Sequence, residues 1–82
     1  MTPAQREEFN RLTTTMRAIL TLAESRGWVS GRGMVGSANI LARRGFIAMQ
    51  RQPDGYYNVQ LTKAGTEALA LMPRPAQAYP HG

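Results

Sequence analysis

Residues 31–36 read GRGMVG, with glycine at Gly31, Gly33 and Gly36. The letters match G-x-G-x-x-G, the pattern by which a strand-to-helix turn lets backbone approach the pyrophosphate of a dinucleotide. That chemistry needs a buried strand before the glycines, a helix after them, a second parallel strand and an acidic residue about 20 positions on. Here a long amphipathic stretch precedes them, and only Trp28 and Val29 offer strand character. Asp54 has a tolerable distance but belongs to a turn, and no Lys-Ser or Lys-Thr pair follows as in a phosphate-binding loop. The glycines therefore read as conformational. Ser30 is expected to cap a one-turn helix over 31–35, Gly36 to end it in the left-handed region, and Ser37 to cap the helix that follows.

Upstream, Thr2, Pro3 and Gln5 form a capping-box start with proline at the first helical position. Phe9, Leu12, Met16, Ile19, Leu20 and Ala23 recur at spacings of three and four, which predicts one long helix ending at Gly27. The Thr13-Thr14-Thr15 run is poor helix material, but the stripe continues through it. Downstream, the second helix carries Leu41 as its buried anchor and stops at Gly45, with Phe46 placed to pack back on Leu41.

Residues 46–52 read as a strand, Pro53-Asp54-Gly55 as a turn, and 56–61 as the return strand. In that strand Tyr57, Val59 and Leu61 alternate with Tyr56, Asn58 and Gln60, so one face is apolar and the other mostly polar. Thr62 caps a last helix over 63–72, which Pro73 stops. The expected organisation is one domain over 1–72 and a flexible Pro-rich tail over 73–82.

Composition narrows the chemistry. The chain has 82 residues, no cysteine and one histidine, His81. Disulfides and thiolate metal sites are excluded, and five scattered acids leave no catalytic constellation, so neither an enzyme nor a cofactor is expected. No apolar run approaches the roughly 20 residues needed to span a bilayer. The opening residues lack a signal-peptide core, which makes the cytoplasm the expected compartment.

Lys and Arg number 10 against 5 Asp and Glu, a formal charge of +5. The middle of the chain holds Arg26, Arg32, Arg43, Arg44, Arg51 and Lys63 against Asp54 alone. Such asymmetry suits a polyanionic partner or simply a basic soluble surface, and charge by itself does not separate the two.

Two phrases carry a resemblance. LARRGFI over 41–47 looks like the end of a winged-helix recognition helix entering its wing. LTKAGTEAL over 61–69 is similar to the segment that closes the wing in MarR-like and PadR-like regulators of bacteria and phages. In that order, with a Pro-Asp-Gly turn between them, they resemble the winged helix-turn-helix family over most of 2–72. The resemblance implies an α+β fold with a long N-terminal helix, a short helix-turn-helix, a two-stranded β-hairpin wing and a C-terminal helix. It also implies a small DNA-binding regulator of transcription without a ligand-sensing domain.

Carried over residue by residue, the resemblance places Ser37, Asn39 and Arg43 against base edges and Arg32, Arg44, Arg51 and Lys63 on phosphates, with Gln50 and Gln52 near the wing tip. Each has a plainer reading. Arg44 suits the helix C-terminal dipole, Arg51 suits an edge strand, and Asn39 suits a solvated helix face. The sequence departs from the family in the short, glycine-laden helix expected before the turn and in Ile40, which stands beside Asn39 where a polar reader is usual. Expected partners are double-stranded DNA and a second copy of the chain, with Leu22 offering a pairing surface; no membrane is expected. In the alternative reading the domain is a protein-interaction module, such as a phage-type inhibitor or a subunit of a nucleic-acid-handling complex. Trp28 and Tyr56 would then anchor the interface, although Trp28 reads first as core filling.

Overall fold

The computed structural model describes residues 1–72, and the segment 73–82, read above as a tail, lies outside the described residues. The described residues form an α+β fold with four helices and a three-stranded antiparallel sheet. The order is α1 (Pro3–Phe9), α2 (Thr14–Ser25), β1 (Trp28–Ser30), α3 (Val35–Arg43), β2 (Ile47–Arg51), β3 (Tyr56–Leu61) and α4 (Lys63–Leu71). In space the strands run β1-β3-β2. Because β3 is antiparallel to both neighbours, β1 and β2 run parallel with β3 between them.

The first helix differs from the one long helix expected. It starts as read, with the Thr2 and Gln5 side chains each bonded to the other's backbone N–H and Pro3 in the first turn. It then stops at Phe9, and the chain restarts at Thr14. Thr13 decides the break: its hydroxyl accepts from the Met16 N–H at 3.1 Å and caps α2. Arg17 staples the bend, with Nε donating to the Leu12 carbonyl at 3.3 Å and the guanidinium 5.3 Å from the centre of the Phe9 ring. Phe9, Leu12 and Met16 still pack on the core, so the stripe survives a break that its spacing does not register.

The one-turn helix expected over 31–35 is a turn instead. Gly33 holds the left-handed backbone, φ +75°, which an L-residue helix does not accommodate. Ser30 accepts from the Arg32 N–H at 3.1 Å, closing a local turn rather than capping a helix. Gly36 and Ser37 both lie inside α3, whose N-cap is Met34. A single helix therefore stands between β1 and β2. Its far end follows the sequence reading: Phe46 N–H bonds to the Leu41 carbonyl at 2.9 Å and Gly45 N–H to Ala42 at 3.1 Å, a glycine-terminated close.

The core gathers Ile19 and Leu20 from α2, Val29 from β1, Ala38 and Leu41 from α3, Phe46 and Ile47, Val59, and Ala68 and Leu69 from α4. No polar or charged residue is buried among the described residues. Each large apolar side chain so buried contributes about 1.5–3 kcal/mol. The helices cover one face of the sheet, the face of Val29, Val59 and Ile47.

Helix α4 approaches the start of β2 more closely than a side chain permits. A Cβ on Gly65 would stand 2.0 Å from the Phe46 carbonyl oxygen. Thr62 helps hold this contact: its hydroxyl donates to the Gly45 carbonyl and accepts from the Gly65 N–H. The Leu-Thr-x-x-Gly spacing thus has a physical cause, a capping threonine that also ties α4 to the α3–β2 corner.

Candidate nucleic-acid interface

Helix α3 presents its polar side through spacing. Ala38 and Leu41 are buried, and Gly36, Asn39, Ile40 and Arg43 recur at three and four on the exposed side. Asn39 and Arg43 fall together on this stripe. Among the described residues neither side chain has a hydrogen-bonding or ionic partner, so both can bond a ligand. Arg32 is exposed in the turn just before α3.

The other candidates lie elsewhere. Ser37 is half-buried and falls off the stripe. Arg44 is tied to α1: its guanidinium pairs with the Glu8 carboxylate, and its carbonyl accepts from Gln5 Nε2 at 3.0 Å. Gln50 sits on the outer face of the sheet, opposite Asn58 on β3. Arg51 closes β2 at the hairpin end, opposite Tyr57. Lys63 opens α4 beside Thr2, Gln5 and Glu67, on a surface that α1 and α4 build together. Leu22, offered as a pairing surface, is partly buried against the core.

The hairpin tip forms as its residues dictate. Gly55 takes φ +89°, Gln52 N–H bonds to the Tyr56 carbonyl at 2.8 Å, and Asp54 Oδ1 accepts from the Tyr56 N–H at 3.0 Å.

Two features stand outside the sequence-predicted site. Trp28, read first as core filling, is 39% exposed, and Tyr56 is 44% exposed. Register explains Trp28. Val29 takes the inner face, so Trp28 opposite Asn58 must take the outer one. The Trp28 and Tyr56 rings meet edge-to-face at 5.1 Å, and the Arg26 guanidinium lies 3.7 Å from the centre of the indole. The outward alternation of Tyr56, Asn58 and Gln60 was the available signal for this face. The second feature is a groove between the α1–α2 bend and α3. Leu12, Met16, Ile40 and Phe46 line it, with Glu8, Arg11 and Arg44 at its rim.

Among the described residues no cluster of three or more His, Cys, Asp or Glu is placed to hold a metal ion, and no helix is long and apolar enough to cross a membrane. No known family matches the chain, and neither a curated protein nor a solved structure matches it.

Proposed function

We propose that the chain is a small DNA-binding protein of winged-helix type, a regulator that reads duplex through α3. The observation that carries the reading is the exposed α3 stripe, where Asn39 and Arg43 stand free while the adjacent Arg44 is engaged. Asn presents the donor and acceptor pair that matches adenine, and Arg the fork that matches guanine, when a helix lies in the major groove. Arg32 before the helix and Arg51 at the hairpin end are the candidate phosphate contacts on either side. With one helix between β1 and β2, α3 is braced instead by α1, through the Arg44–Glu8 pair, and by α2 through the shared core. Such a helix alone gives modest affinity, so two copies on paired half-sites are the expected arrangement. Sizing the purified chain alone and with random duplex DNA tests this: co-elution of a complex at low salt supports it, and separate elution at low salt rejects it.

The Ile40 groove supports a second reading, a protein-interaction module. An apolar floor with a charged rim suits an amphipathic helix. A stoichiometric protein partner that survives nuclease treatment and is lost in Ile40→Asp would favour that reading over DNA.

A further inference from the structure

Among the described residues no helix lies on the outer face of the sheet, and its chemistry differs from that of α3. Trp28, Asn58 and Gln50 stand in one row across the three strands, and Tyr56 and Gln60 flank Asn58 along β3. All five are exposed. Arg26 lies over the indole and brings a positive charge to the edge of this face. The outward-facing residues of the three strands include no acid. Asp54, at the hairpin turn, is engaged with the Tyr56 N–H.

We propose that this face binds single-stranded nucleic acid. Unpaired bases stack on aromatic rings and on guanidinium planes, while side-chain amides bond to base edges. Tyr56 and the Arg26–Trp28 pair supply the stacking surfaces. The amide row of Asn58, Gln50 and Gln60 supplies donors and acceptors at strand spacing. A chain of charge +5 draws the phosphate backbone toward it. A second copy is a poorer occupant, because two rings set among amides offer little apolar area to bury. This surface uses none of the α3 stripe, so it stands or falls apart from duplex binding.

Trp28 is the single tryptophan of the chain, so its fluorescence reports on this face directly. The experiment titrates the full chain at low salt with an oligothymidylate of roughly 12 nucleotides, with a duplex of equal length, and with a Pro-rich peptide. The expected result is saturable quenching by the single strand at concentrations where the duplex leaves emission unchanged. Tyr56→Ala should weaken that binding about tenfold, within the range for losing one stacking partner. Gln50→Glu, an exposed change that leaves the core intact, should weaken it several-fold. Four results would overturn the proposal: no quenching by the single strand, equal quenching by duplex, quenching by the Pro-rich peptide alone, or a single-strand affinity indifferent to both Tyr56→Ala and Gln50→Glu.

Discussion

The Arg44 guanidinium pairs with the Glu8 carboxylate and fastens α1 to the C-terminal end of α3. Gln5 reinforces the same joint by donating to the Arg44 carbonyl at 3.0 Å. The two arginines of the Arg43-Arg44 pair therefore have separate roles. Arg44→Ala should lower stability by up to about 1 kcal/mol, the range for a partly exposed pair. Arg43→Ala should change it by less than about 0.5 kcal/mol. Urea unfolding of both variants measures the split.

The contact between α4 and β2 makes a sharper prediction. Gly65→Ala would place a methyl on the Phe46 carbonyl, a backbone atom held by the Thr62 N–H at 3.1 Å. The expected loss is about 3 kcal/mol, the upper end of overpacking penalties. For a domain this small that is a large part of total stability. A thermal melt indistinguishable from the parent would mean that α4 does not sit as described.

The turn before α3 assigns opposite signs to two neighbouring glycines. Gly36 is helical and a Cβ there meets nothing within 4 Å, so Gly36→Ala should stabilise by about 0.5–1 kcal/mol. Gly33 is at φ +75°, and Gly33→Ala should destabilise by about 1 kcal/mol. Equilibrium denaturation of the pair checks this, and reversed signs would restore Gly36 as the left-handed terminator.

The terminal ammonium of Met1 donates to Glu67 on α4. That hydrogen bond, followed by the positive charges of the ammonium, Lys63 and Arg6, holds the Glu67 carboxyl below the usual glutamate value, against the upward pull of desolvation. A depressed folded-state value means stabilisation present above the unfolded value and lost as pH falls through the folded one. Glu67→Gln should therefore be less stable than the parent at neutral pH, with the difference closing below about pH 4. Melting curves across that range measure it.

Much of this architecture was legible where a residue has one physical use. Thr2, Pro3 and Gln5 announced α1, the Pro53-Asp54-Gly55 turn and the alternation after it announced the hairpin, and Thr62 announced α4. The break at Thr13 was hidden because Phe9 and Leu12 reach the core from a separate helix as well as from a continuous one. The left-handed position was hidden because Gly33 and Gly36 are the same residue, and the turn geometry chooses between them. Asn39 and Arg43 were named through the resemblance together with Ser37, and the helix spacing that separates Ser37 from them shows only once the bounds of α3 are fixed. The exposure of Trp28 was not legible, since two residues of strand carry no alternation and pairing with β3 sets the face.

The most direct test of duplex recognition is the salt dependence of binding, measured by fluorescence anisotropy with a labelled duplex, for the parent and Arg43→Ala. Each phosphate contact contributes a slope of about −0.9 in log affinity against log salt. The proposal expects a steep negative slope for the parent and, for Arg43→Ala, weaker binding to a preferred sequence with loss of discrimination at the base it contacts. No binding by the parent at low salt, or an Arg43→Ala variant identical to it in affinity and sequence preference, would contradict the proposal.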